Sequence, residues 1–204
     1  MRRRLVLLRH GQTSWNLQRR GQGHVDIPLD EVGIAQARAA ASWAAGFDPV
    51  AVWSSDLSRA RVTAEYAAAE LGLAVRVDAR LREFNLGERA GLALPDYQAQ
   101  HPEEYARFAR GDFRDVPGAE QVPDVAKRMC DVLGDAGEAL GEGDAALVVS
   151  HGSAIKAAVL AMLGLPVELK TLAGLPNCGA AVLEESEAAP AGWHLASYGL
   201  QAPV

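Results

Sequence analysis

Residues 5–11, LVLLRHG, and residues 145–152, AALVVSHG, carry one pattern twice: a short apolar run that ends abruptly in His-Gly. An apolar run of this length without alternation marks a strand covered on both faces, as in a parallel sheet lying between two layers of helices. A third run, Val50–Trp53, ends in Ser54-Ser55-Asp56, with Arg59 one turn further on. Helical stretches lie between and after these runs. Asp30 is placed to cap a helix carrying Ile34, Ala37, Ala41 and Ala44 that stops at Gly46. An alanine-rich helix covers Arg59–Leu71 and stops at Gly72, and another covers Ser153–Leu163 before Gly164 and Pro166. Ala74–Val77, Gly179–Glu184 and Trp193–Tyr198 read as further strands, while Gln12–Leu29 and Asp78–Pro95 read as loops. Pro95–Leu140 reads as two helices around a Gly-, Pro- and Asp-containing stretch at 111–123. Strands alternating with helices predict an α/β fold, a three-layer α/β/α sandwich with a mainly parallel central sheet. The 204 residues are expected to form a single domain over 1–204, with a lid or insertion around 95–123.

Composition narrows the partners. The chain is 49% hydrophobic with a formal net charge of −6, so neither nucleic acid nor an anionic membrane is an expected partner. Only Lys127, Lys156 and Lys170 are lysines, leaving seventeen of twenty basic residues as arginine. A biased genome accounts for most of that excess, so any special arginine must be recognised by its position. Cys130 and Cys178 form no disulfide framework and no zinc-binding spacing, as expected of buried thiols in a reduced compartment. The start, MRRRLVLLRHG, is too short in apolar residues for a signal-peptide core, and no run reaches membrane-spanning length. The expected location is the cytoplasm.

In parallel sheets the reactive groups gather at the carboxyl ends of the strands. Three ends here are unusually polar: Arg9-His10-Gly11, Ser54-Ser55-Asp56 with Arg59, and Ser150-His151-Gly152. A lone histidine is most often structural, and a lone arginine most often a surface ion-pair partner. Two strand-His-Gly units with arginines at two of three ends tilt the balance toward one shared site, provided the strands are neighbours. Such a set suits a phosphomonoester. Arginines clamp phosphate bidentately and stay charged, and a helix starting at Ser153 would aim free amides at an anion. A neutral histidine there could attack phosphorus, its pKa depressed by the neighbouring cations. An acid must then protonate the leaving alkoxide. Glu83 is the carboxyl best placed by sequence order, though order alone leaves it equally a surface residue beside Arg82. A metal held by His10, His24 and His151 is the competing arrangement, disfavoured by Arg9. No phosphate-binding P-loop, HExxH or G-x-S-x-G pattern occurs.

The stretch LVLLRHGQTSWN, residues 5–16, resembles the signature of the histidine phosphatase superfamily in its phosphoglycerate mutase-like branch. The likeness extends in order through RGQGHVDIPL (20–29), SSDLSRARVTA (54–64), LREFNLGE (81–88) and VVSHGSAIK (148–156). The resemblance implies His10 as the phosphorylated nucleophile, Arg9, Arg59 and His151 as the rest of the phosphate pocket, and Glu83 as proton donor. It implies phosphate or substrate contacts for Asn16, Gln22, Gly23 and Gly152. It implies no metal and no cofactor, a small phosphorylated metabolite as substrate, and a homodimer as a family habit. The acid loop, Glu83 to Glu88, is closer to the family's phosphatases than to its bisphosphoglycerate-dependent phosphoglycerate mutases, which remain the alternative. Two positions depart from the family pattern. Its usual G-E-S turn reads Gly118-Ala119-Glu120-Gln121, and the frequent aromatic after the acid-loop glycine is Glu88. Both departures are expected to bear on substrate identity and to leave the phosphate pocket untouched.

Overall fold

Leu5, Val6, Leu7 and Leu8 are wholly buried because their strand, β1 (Arg4–Arg9), has a strand on either side and helices over both faces. The computed structural model describes residues 2–202. After β1 come α1 (Ser14–Leu17), α2 (Glu31–Ala45), β2 (Pro49–Ser54), α3 (Ser58–Leu71) and β3 (Val75–Val77). The chain continues through α4 (Leu94–Gln100), α5 (Pro102–Phe108), α6 (Val122–Glu138), β4 (Ala145–Ser150), α7 (Gly152–Met162), β5 (Ala180–Glu185) and β6 (Trp193–Leu200). The six strands form one sheet in the order β3-β2-β4-β1-β5-β6. The first four are mutually parallel, and β5 runs against them. β6 is antiparallel to β5 and so rejoins the common direction. This is the α/β sandwich with a mainly parallel sheet that the strand-helix alternation predicts.

Side-chain alternation sorts the core into two layers. Val6 and Leu8 point to the alanines of α2 and α3, while Leu5 and Leu7 point to α6 and α7. Each such side chain contributes about 1.5–3 kcal/mol of burial. The small residues of α2 and α3 let these helices lie close to each other and to the sheet. Asp30 caps α2 as expected, its carboxylate accepting from the Gly33 amide at 2.8 Å. A Cβ on Gly11 would run into the Gly33 carbonyl, so the His-Gly turn needs glycine to pass under the start of α2. α3 ends at Gly72 in the left-handed conformation, φ 67°.

Two local readings differ from the structure. The stretch 95–110 holds two short helices, because Pro102 forces His101 out of helical geometry (φ −136°, ψ 63°). Within 12–29, Thr13 and Asn16 form a capping box that starts α1. Cys130 is half-buried, Cys178 is buried, and both are unpaired, with burial raising the Cys178 thiol pKa to about 12. Among the described residues no helix is long and apolar enough to cross a membrane.

Candidate active site

The sheet order puts β2, β4 and β1 side by side, which is the condition for the three polar strand ends to meet. Arg9 pairs with Ser150 in the parallel register of β1 and β4, so His10 and His151 leave adjacent strands at the same level. The His10 amide donates to the Ser150 carbonyl at 3.1 Å, and the Ser55 amide to the Val149 carbonyl at 3.0 Å. The two imidazoles lie edge to face with centroids 5.1 Å apart.

A cavity of about 630 Å³ opens over these ends. Arg9, His10, Asn16, Gln22, Gly23, Arg59 and Glu83 all line it, so seven of the nine candidate residues share one wall. His151 does not. It is wholly buried behind His10, its Nε2 3.0 Å from Ser55 Oγ. The Nε of Arg59 donates to its Nδ1 at 3.3 Å, which leaves Nε2 to carry the proton toward Ser55. Gly152 lines a smaller recess beside the cavity, together with Arg9, Glu83 and Ser153.

His10 is equally well defined. Its Nδ1 lies 2.7 Å from the Gly11 carbonyl, which only accepts, so the proton sits on Nδ1 and the lone pair on Nε2. Burial lowers the pKa of His10 well below the usual 6.5, and the Arg9 and Arg59 charges lower it further. His151 is lowered well below 6.5 by burial and then by Arg59, His10 and Arg9. Both rings are therefore neutral at physiological pH. Arg59 is itself fully buried, its pKa brought down to about 10 chiefly by burial, and remains a cation. Its Nη1 and Nη2 donate to the carbonyls of Val25 and Gly23, each at 2.8 Å, which fixes the loop that carries Gln22. Arg9 donates from Nη1 to the Leu175 carbonyl at 2.5 Å, while its buried Nε has no partner among the described residues. The Oε1 of Gln22 is likewise buried and unpartnered.

One expectation about this site is corrected. The first amides of α7 do not stand open to a ligand. The Ser153 and Ala154 amides donate to the Glu83 carboxylate at 3.0 and 2.9 Å, and Phe84 adds a third at 3.0 Å. A helix N-terminus attracts an anion, and here the chain's own acid loop supplies it. The altered turn at Gly118–Gln121 stands off the cavity wall, and its Glu120 accepts from the Asn85 amide of the acid loop at 2.8 Å.

Several wall residues escaped the reading of the sequence. Arg20, Lys156 and Lys170 add cations, so five basic side chains face Glu83 as the one carboxylate on the wall. Phe108, Phe113, Leu169 and Leu172 add apolar surface to the same wall. Arg20 and Lys156 stand at the ends of the quoted stretches 20–29 and 148–156 with no role assigned to them, Lys170 carried no signal, and no periodicity marked the apolar group. Asn177 donates to the His10 carbonyl at 3.1 Å and to Asn16 Oδ1 at 3.3 Å, joining the loop before β5 to the site.

The two neutral histidines carry a stability prediction. Unfolding frees them to titrate near 6.5, so below that pH the unfolded chain binds protons that the folded protein does not. Stability is then lost as pH falls from about 6.5 toward the depressed folded values, and is unaffected above that window. Each ring contributes up to about 1.4 kcal/mol per pH unit there. Urea midpoints measured from pH 7 to 5 should fall accordingly, and less steeply in His10→Gln or His151→Gln. An unaltered slope in both variants would contradict neutral burial.

The family model described as histidine phosphatase superfamily (branch 1) matches residues 5–199. A probable phosphoglycerate mutase of Yersinia pestis (strain Pestoides F) is 33% identical over 198 residues, covering 96% of this chain and 92% of that protein. A mycobacterial glucosyl-3-phosphoglycerate phosphatase, solved in complex with VO3, superposes with a TM-score of 0.90 at 34% identity, covering 98% of this chain and all of that one. A phosphoserine phosphatase of Entamoeba histolytica, in complex with phosphoserine, superposes with a TM-score of 0.82 at 26% identity, covering 97% and 96% of the two chains.

Proposed function

The chain belongs to the histidine phosphatase superfamily, branch 1, and on that premise we propose that it hydrolyses a small phosphomonoester through a phosphohistidine on His10. The observation that carries this reading is the state of His10: neutral, with Nδ1 tied to Gly11 and Nε2 left as the nucleophilic nitrogen on a wall shared with Arg9 and Arg59. Arg9 and Arg59 hold the phosphoryl oxygens. His10 Nε2 attacks phosphorus as the P–O bond to the alcohol breaks, and Glu83, which takes up the proton of the bound phosphate monoanion, passes it to the departing oxygen. The Gly11 carbonyl steadies the charge that the phosphorylated ring acquires. Glu83, now a carboxylate, takes a proton from water as that water attacks phosphorus, and inorganic phosphate leaves with the N–P bond broken. His151 keeps Arg59 in place from behind. Asn16, Gln22, Gly23 and Gly152 are assigned to phosphate or substrate contact.

We assign no metal to these steps. The two guanidiniums beside His10 supply the positive charge, and no cluster of three or more His, Cys, Asp or Glu residues capable of holding a metal occurs among the described residues. Turnover of p-nitrophenyl phosphate is expected to survive EDTA. Loss of activity that added metal restores would overturn the assignment. The segment around 95–123 is assigned as the substrate-selecting lid of a single catalytic domain. It sends Phe108 and Phe113 into the cavity wall, and Phe113 packs against Phe84 of the acid loop at 5.6 Å between centroids. Phosphate esters that the related phosphatases are named for, phosphoserine and glucosyl-3-phosphoglycerate, belong in the first substrate panel, read as kcat/KM. The enzyme is assigned to the cytoplasm, where Cys130 and Cys178 stay reduced.

A second reading, a bisphosphoglycerate-primed phosphoglycerate mutase, is favoured by the name of the Yersinia relative. The phosphatase names of the two structural neighbours and the form of the acid loop weigh against it. Isomerisation of 3-phosphoglycerate that depends on a bisphosphoglycerate primer would establish the mutase; release of inorganic phosphate without isomerisation is expected.

A further inference from the structure

Arg128, on α6, lies outside the cavity wall yet grips the loop that carries Glu83. Its Nη1 donates to the carbonyls of Arg80 and Arg82, both at 2.7 Å, and its Nη2 to the carbonyl of Glu83 at 2.9 Å. The rest of the guanidinium is held by Glu120, with Nε to Oε1 and Nη2 to Oε2 both at 2.9 Å. Glu120 Oε2 also accepts from the Asn85 amide at 2.8 Å, and the Glu120 amide donates back to the Asn85 carbonyl at 2.9 Å. His24 Nε2 adds a hydrogen bond of 2.8 Å to the Glu83 carbonyl. The peptide groups on both sides of Glu83 are thus pinned from behind, while its carboxylate rests on the first amides of α7 in front.

We propose that Arg128, braced by Glu120, is a positioning residue for the general acid: it fixes where the Glu83 carboxyl stands without touching substrate. This rests on Glu83 being the proton donor. A planar fork is what the task requires, because three carbonyls and a carboxylate converge on one group from different directions. Proton transfer tolerates little error in placement, and a displacement near 1 Å costs on the order of 10²-fold. Glu120 is the glutamate kept within the turn at Gly118–Gln121, which otherwise departs from the family's G-E-S pattern, and this brace is the use the structure gives it.

The test compares two leaving groups. p-Nitrophenolate departs with little help from an acid, whereas an alkoxide needs the proton. Arg128→Met is therefore expected to lose ~10–100-fold in kcat/KM on the best alkyl phosphate of the substrate panel, and less than ~3-fold in kcat/KM on p-nitrophenyl phosphate; kcat/KM covers only the steps through release of the alcohol, so the shared hydrolysis of the phosphohistidine, where Glu83 acts as base, does not enter it. Glu83→Gln should show the same skew more strongly, and the double variant should be no worse on the alkyl phosphate than Glu83→Gln alone. If Arg128→Met does not fold, Glu120→Gln serves instead; it retains an acceptor for the Asn85 amide, loses the charge that holds Arg128, and should skew activity the same way. Equal losses on both substrates, wild-type rates on both, or additive losses in the double variant would overturn the proposal. Wild-type-like p-nitrophenyl phosphate turnover in His10→Ala would instead overturn the phosphohistidine reading beneath it.

Discussion

His10→Ala is expected to lower kcat by on the order of 10⁴–10⁶-fold, the range seen when a covalent nucleophile is removed. The size of the effect follows from the chemistry at Nε2. With Nδ1 committed to the Gly11 carbonyl, Nε2 is the lone-pair nitrogen that His10 presents at the cavity, and His151 offers no substitute from its buried place behind Arg59. What remains in the variant is Arg9 and Arg59, so binding should outlast turnover: the Kd for inorganic phosphate should stay within a few-fold of wild type. The covalent intermediate gives a second readout. A phosphohistidine is acid-labile and stable to alkali, so an alkaline quench during turnover of labelled substrate should trap label on the wild-type chain and none on the variant. The structural cost is modest, since one carbonyl loses its donor, about 1–3 kcal/mol. Label trapped equally on both chains would place the nucleophile elsewhere.

The parts of this site that show in the sequence are those fixed by topology. A buried parallel strand must end in a turn, and residues at neighbouring strand ends must meet, so Arg9, His10, Arg59 and His151 are readable from three apolar runs and their last residues. The cap of α2 was legible at Asp30 itself, whereas the order of the strands was not: that β2, β4 and β1 are neighbours is supplied by the structure. The apolar part of the wall is not readable this way. Phe108, Phe113, Leu169 and Leu172 come from short helices and loops whose apolar residues follow no period, and only the packed chain brings them to one cavity. Pro102 was visible, but a proline at that position reads equally well as the start of one helix or the break between two. The amides of α7 show a different limit. Helix physics says that an anion belongs there, and does not say whether it comes from a ligand or from the chain; the fold gives the place to Glu83. Arg128 is obscured for a related reason. On an amphipathic helix it has the spacing of a residue facing solvent, and its role depends on three carbonyls from a loop about forty-five residues earlier in the chain.

Arg59→Lys should lose activity and stability together, which separates it from His10→Ala. On the proposed reading Arg59 does two jobs with one guanidinium. Three of its five N–H groups are committed inside the protein, to Val25, Gly23 and His151. Two are left for a phosphate on the cavity side. A lysine keeps the charge but offers three donors from a single nitrogen, and no arrangement of these spans two carbonyls, an imidazole and two phosphoryl oxygens. If it serves the carbonyls, the phosphate loses its clamp; if it turns to the phosphate, two buried carbonyls lose their donors at about 1–3 kcal/mol each. The loop carrying Gln22 and Gly23 then loses its anchor in either case. The expected result is a fall of ~10²–10⁴-fold in kcat/KM, the scale of losing a preorganised charged donor pair, with a urea midpoint clearly below wild type at pH 7. His10→Ala, measured beside it, should show the greater kinetic loss and the smaller structural one. A lysine variant with wild-type kcat/KM would mean that charge alone suffices at this position and that the fork geometry has no role in binding phosphate.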